Sequence, residues 1–428
     1  MTPRAHRRLA FLRLAFLRFA SLRFAFRRSS KRAVGVATGS ACVIVAAAWY
    51  FAAGRAPAGG APAQLGAAVF VPASAAEIVE RLPAAATASK QDLRQRSRAA
   101  PGNGGSVAGA VAMARRHLER ARRDGDPREA ALARSALGDW WDLPAAPVPV
   151  LLVRAAIRQH GHDFDGALAD LERAVSVDPR NVQAWLSRAA AQQTTGRLRA
   201  AADSCRRVVA LSDHDAGHVC LADLASMQGD RGALDRIARR LADRQAGAAA
   251  AAWILTVQAE MAERLGRNAE AEAWFRAAVG TAGDSYARVA YADLLLATDR
   301  AGQVDALLAP APATDAVLLR RAIGLLRTGD PRAAAVVDEL RRRFAPPAGE
   351  AVAMHLREMA RFFLEIEGDA ATALELATRN WSLQKEPADA LLLAAAARAA
   401  GRPGAAAPVR AFVRDPGLFD VRLHEQLE

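Results

Sequence analysis

A thirty-four-residue unit, Pro147 to Arg180, recurs in outline down the chain and leaves few folds open to it: PVPVLLVRAAIRQHGHDFDGALADLERAVSVDPR. Its first half is an apolar stretch that predicts a helix over about 150–160, broken at Gly161. Its second half predicts a helix from about Asp165 to just before Asp178-Pro179. In that second helix small Ala167 is followed by Leu171, Ala174 and then Pro179. Small residues on one helix face let two antiparallel helices approach closely. The large residue fills the gap between them, and proline, which has no N–H to donate, stops the helix.

The same order returns further on. Trp185 and Ala189 open a unit that turns at Gly196 and continues with Ala201 and Cys205. A unit over about 217–244 turns at Gly229-Asp230 and has lost most of the pattern. The unit around 252–283 restores it with Gly266, Ala271, Phe275 and Ala278. Weaker copies turn at Asp299, Gly329, Gly368 and Gly401. A helix over 107–123, ended by Asp124-Gly-Asp-Pro127, and a second to about Leu137 precede the first unit. Counting turns gives eight helical hairpins between about 107 and 413. The spacing resembles the tetratricopeptide repeat (TPR), a helix–turn–helix of 34 residues with an Ala-x3-bulky step and a late proline. The fold class expected is all-α, a TPR-like α-α superhelical solenoid of about eight hairpins over 106–428, preceded by one transmembrane helix. Alanine-rich, aromatic-poor composition, with 6% aromatic residues, agrees with helices packed close together.

The net charge of +13 suggests a nucleic-acid partner until its distribution is read. The first 32 residues carry ten Lys or Arg and no acid, and the first acid in the chain is Glu77. The rest of the chain is near neutral, so no phosphate-tracking surface and no nucleic-acid partner is expected. Residues 1–32 read as a basic cytoplasmic tail, either low-complexity or held at an anionic leaflet by charge and Phe/Leu anchors. Ala33–Ala53 is 21 residues without a charge, flanked by Arg32 and Arg55. At 1.5 Å per residue it reaches about 30 Å, one bilayer core. Trp49 and Tyr50 stand where interface anchors do, and the positive-inside rule puts everything after Gly54 across the inner membrane, in the periplasm. A cleaved leader on a secreted protein is the competing reading. Residues 54–105, rich in Ala, Pro and Gly, read as a linker.

The resemblance implies a scaffold that binds a protein or peptide on the concave face formed by the first helices, and the apolar span with its flanking charge would place that scaffold in the bacterial cell envelope. Some TPR domains grip a terminal carboxylate there with Lys, Asn and Arg. Here the corresponding positions include Leu152, Ala156, Leu186 and Ala190, so that clamp is not expected. The projected groove is lined instead by Gln159, His160, Gln193, Glu260, Glu263, Arg264, Glu358 and Phe362. Arg154, Arg188 and Arg321 fall at equivalent places in their first helices, where the repeat normally carries an apolar residue. Their stems can cover apolar surface while the heads pair with a carboxylate of a neighbouring helix, or they can form a guanidinium ladder toward an acidic ligand. Trp140-Trp141 is read as a plug in a seam between hairpins.

No metalloprotease, nucleophile-elbow, dinucleotide or P-loop motif is present, so no enzyme and no cofactor is expected; an envelope enzyme with an unrecognised site is the alternative from another class. His214, His218, Cys205 and Cys220 could approach a zinc set, but His214 precedes its helix and an oxidising compartment favours a disulfide, so no metal is assigned. Cys205 and Cys220 are expected to be bonded. They lie on antiparallel neighbouring helices, seven or eight residues either side of the connection at Ser212–Asp213, which brings them level.

Overall fold

The computed structural model describes residues 106–212, 215–243, 246–282, 285–345, 355–415 and 417–427. The basic tail, the apolar span 33–53, the linker and His214 lie outside the described residues. Within those residues no helix is long and apolar enough to cross a membrane.

The described chain is a succession of helical hairpins. In order they are α1 (Val107–Asp124) with α2 (Pro127–Leu137), α3 (Val148–His160) with α4 (Phe164–Val177), and α5 (Val182–Thr194) with α6 (Leu198–Leu211). Then come α7 (Asp215–Met227) with α8 (Ala233–Leu241), α9 (Ala248–Arg264) with α10 (Asn268–Ala282), and α11 (Ser285–Ala297) with the short α12 (Val304–Leu308). The last are α13 (Asp315–Thr328) with α14 (Ala333–Phe344), α15 (Leu356–Phe362) with α16 (Ala370–Leu383), α17 (Pro387–Ala399) with α18 (Ala407–Arg414), and a final turn of helix, α19 (Val421–Leu427). This is an all-helical, TPR-like repeat architecture. The hairpins among the described residues number nine rather than eight, because α1 and α2 pack on each other as a hairpin of their own.

The turns explain why the unit repeats. In all nine hairpins one residue adopts a left-handed conformation, with φ between +59° and +89°. Seven of these residues are glycine, which carries no Cβ to clash there. The other two are His162 (φ +61°) and Asp299 (φ +59°). Gly161 is therefore not the reversing residue of its hairpin; its φ is −86° and the reversal falls one residue later. The next residue is always Asp or Arg. Where it is Asp, the carboxylate caps the second helix: Asp163 accepts from the Gly166 N–H and Asp369 from the Thr372 N–H. Where it is Arg, the guanidinium generally reaches back to an acid on the second helix of the preceding hairpin. Arg197 meets Asp165 at 2.7 Å, Arg267 meets Asp235 at 2.8 Å and Arg300 meets Glu272 at 2.8 Å.

Packing follows the predicted step. Ala167, Ala201 and Ala271 are fully buried, as are the bulky partners Leu171, Cys205 and Phe275 four residues on. Arg154, Arg188 and Arg321 turn their heads to Asp170, Glu172 and Asp305, at 2.5, 2.6 and 2.8 Å. Trp140 and Trp141 pack against the core shared by the first two hairpins, and Arg134 lies over the Trp141 ring at 4.7 Å. Cys205 on α6 and Cys220 on α7 are joined, with Cα atoms 6.0 Å apart.

The last elements return to the middle of the chain. The Lys385 N–H donates to the Thr194 carbonyl at 2.8 Å, and the Phe419 N–H to the Met227 carbonyl at 2.6 Å. The Phe412 ring lies so close to Gly196 that a Cβ there would overlap it. In consequence α17 is buried along its length from Pro387 to Ala397, in one core with Ala189, Leu198 and Leu224.

Candidate functional site

Most of the projected groove residues sit toward the turn ends of first helices, Glu358 near the start of α15, and neighbouring hairpins together with the returning segment enclose most of them. Gln159, Gln193, Glu260, Glu263, Arg264 and Phe362 are buried, while His160 and Glu358 are half-buried. Gln193 donates to Asp223 at 2.8 Å, and Asp223 also receives the Arg264 guanidinium, linking three successive hairpins. Glu263 pairs with Arg422 of α19 at 2.6 Å. Glu260 accepts from the Tyr286 hydroxyl at 2.6 Å. Glu358 stands 3.7 Å from Arg320. Phe362 packs edge-on against Phe344, with ring centres 5.4 Å apart. Gln159 donates to its own helix at Ala155, 3.4 Å.

Charge in this interior is organised around arginines. Arg357 spans Glu386 at 2.6 Å and Asp389 at 2.7 Å, and Asn380 donates to Asp389 at 2.6 Å. Asp293 accepts from Arg320 at 2.9 Å and from Arg361 at 2.6 Å. Burial raises Asp293, but the two guanidiniums outweigh it and hold the carboxyl below its ordinary range. Burial pushes Glu260 up to about 8 and Glu386 to about 7. His160 is pushed down to about 4 by burial, helped by the positive charge of Arg122 and by His162 and His355. These shifts belong to groups that hold the repeats and the returning segment together. Among the described residues no group of three or more His, Cys, Asp or Glu is set to hold a metal.

An open hollow lies elsewhere, across the first helices of the first three hairpins. It measures about 350 Å³ and is walled by Arg115 of α1, by Val148, Pro149 and Leu152 of α3, and by Asp178, Asn181 and Gln183 at the start of α5. Asn181 is fixed by its own caps: it accepts from the Ala184 N–H at 3.0 Å and donates to Asp178 at 3.1 Å. Gln183 donates to Ser187 at 3.0 Å, which leaves its carbonyl oxygen without a partner. The hollow thus sets Arg115, Asp178, Asn181 and Gln183 beside an apolar floor, with the Gln183 carbonyl oxygen itself enclosed. Of these residues the sequence reading singled out Asp178, as the end of the unit's second helix, and Leu152, as an apolar place where a carboxylate clamp would have had charge. Asn181 and Gln183 carry no periodic signal. Only the stacking of α5 on α3 shows that they flank it.

No protein-family model matches the chain, and no curated protein does. The chain is similar in structure to a tetratricopeptide repeat protein from Parabacteroides merdae, at 15% identity over 54% of this chain and 93% of that one, with a TM-score of 0.35. It is also similar to human IFIT1 in a dimer with PPP-AAAA, at 13% identity over 76% of this chain and 86% of that one, with a TM-score of 0.40. Likeness at that level adds nothing to what the nine hairpins show by themselves.

Proposed function

We propose that the protein is a polypeptide-binding scaffold and that the hollow across α1, α3 and α5 receives the partner. The observation that carries this reading is the contrast between the two inner surfaces. The inner ends of the third to fifth hairpins are covered by the chain's own return, whereas the first three hairpins leave a polar and apolar hollow uncovered. A polypeptide has backbone N–H groups and carbonyls for the polar rim at Asp178, Asn181 and Gln183, and side chains for the floor at Leu152. A photo-crosslinking residue at Leu152 or Gln183 should capture a discrete partner band that the same residue at exposed Arg173 does not. Equal capture at all three positions would contradict the assignment.

The location proposed is the outer side of the cytoplasmic membrane, with Ala33–Ala53 as a single-pass anchor. The charge asymmetry about that span supports it, as does the joined Cys205–Cys220 pair, which suits an oxidising compartment. A reporter fused after Glu428 that works only in the cytoplasm would refute this orientation, and a mature chain beginning beyond Ala53 would refute the anchor.

A further inference from the structure

The segment 417–427 follows the last hairpin and behaves as a ligand of earlier ones. It leaves α18 through Gly417, at φ +80°, and carries no helix until Val421. It then crosses a shelf made by the turn ends of the fourth and fifth hairpins. Four kinds of contact hold it. The Phe419 N–H donates to the Met227 carbonyl at 2.6 Å, as a bound extended peptide would. The Arg422 guanidinium meets Glu263 at 2.6 Å and its own Asp420 at 2.6 Å, with Asp420 and Glu263 both buried. Arg231 lies over the Phe419 ring at 5.2 Å. Leu418 and Leu423 are buried in the core shared with α17, and Val421 lies against the turn at Gly266. The order read by the shelf is Leu418, Phe419, Asp420, Val421, Arg422, Leu423.

This set differs from the way the hairpins join one another. Hairpin to hairpin, small alanines and large apolar side chains interlock along whole helices, with ion pairs such as Arg267–Asp235 added to them. Here a short stretch docks by one main-chain hydrogen bond, one arginine fork, the Arg231 guanidinium over Phe419 and a few apolar side chains. Each charged group in it would be well solvated if released. We propose that the shelf formed by Met227, Gly229, Arg231, Glu263 and Gly266 is a peptide-recognition site filled by residues 418–423, and that a partner polypeptide with an apolar-aromatic-Asp-apolar-Arg pattern displaces them. This site is separate from the hollow on the first three hairpins and stands or falls independently of it. Because the resident segment is tethered, it acts at a high effective concentration, so a partner in trans binds well only when the resident is weakened or outcompeted.

The test uses the full chain and a labelled synthetic peptide with the sequence of residues 415–428. Arg422→Glu in the chain places a carboxylate against Glu263 and should release the resident segment. The peptide should then bind this variant at least about tenfold more tightly than the wild type, since the tethered competitor is gone. Adding Glu263→Arg rebuilds the ion pair with its sign reversed, so the resident segment should dock again and peptide affinity should fall back to the wild-type level or below. Hydrogen exchange over 191–211 and 252–264, unchanged between variants, shows that the repeats remain folded. In the wild type, excess peptide should accelerate exchange in 417–427 and in no other region, a readout that needs no substitution. Failure of the peptide to bind the Arg422→Glu chain would overturn the proposal. So would binding that ignores the charge reversal, or wild-type exchange in 417–427 that excess peptide leaves unchanged.

Discussion

Asp293 holds two guanidiniums at once, those of Arg320 and Arg361, with all three side chains almost completely enclosed. Removing the carboxylate takes the shared acid from two buried cations, leaving Arg320 with Glu358 and Arg361 with Glu365, and breaking a buried pair costs on the order of 3–5 kcal/mol. Asp293→Ala should therefore lower the urea midpoint sharply. Arg332→Ala, which cuts two ion pairs at the surface, should leave it nearly unchanged. Equal shifts would mean that the interior network is not what holds the sixth, seventh and eighth hairpins together. Glu260 supplies a test in pH. Its carboxyl is raised from 4.5 to about 8, first by burial. Between those values the folded chain keeps a proton that the unfolded chain gives up, so this group's stabilisation is complete below about 4.5 and is lost as pH rises through about 8. Glu260→Gln, which mimics the protonated acid and still accepts from Tyr286, should match the wild type at pH 5 and exceed it at pH 9. Unfolding curves at the two pH values check this, and a constant difference between the proteins would refute it.

At the scale of the element, the hairpin was legible, and so was its reversal at every turn but the one after α3. The Ala-x3-bulky step at Ala167–Leu171, Ala201–Cys205 and Ala271–Phe275 marked the packed face, and all six residues are fully buried. Ala271→Leu should overpack that contact and cost about 1–3 kcal/mol in thermal or chemical unfolding. Glu172→Gln, on an exposed side chain, should change little, and similar losses from both would place the packed face elsewhere. At that one turn a glycine, Gly161, stands beside the residue that reverses the chain, His162. What marks it is the Asp or Arg that follows, a polar feature invisible to hydrophobic periodicity. Asp299 tests the point. Its left-handed φ of +59° should make Asp299→Val lose about 1–2 kcal/mol while Asp299→Gly loses nothing. Matching losses would show that φ at this position is not what matters.

Across the whole described chain, the repeats alone suggested a row in which each hairpin touches its neighbours and the inner face stays open. Nothing in the periodicity of 387–399 distinguishes α17 from other first helices. Its burial comes from contacts made by Lys385, Glu386 and Phe412 to Thr194 and Gly196, nearly two hundred residues earlier. Most of the projected inner-face residues are buried, Glu263 beneath the returning Arg422, because a one-dimensional pattern carries no record of where the chain returns. Hydrogen exchange decides between the two arrangements. In a linear array the terminal hairpins fray first. If α17 is enclosed by the third and fourth hairpins, amides of 388–397 should exchange within about tenfold of those of 252–264, among the slowest in the protein. Exchange of 388–397 at the rates of a frayed end, with 252–264 still protected, would contradict it.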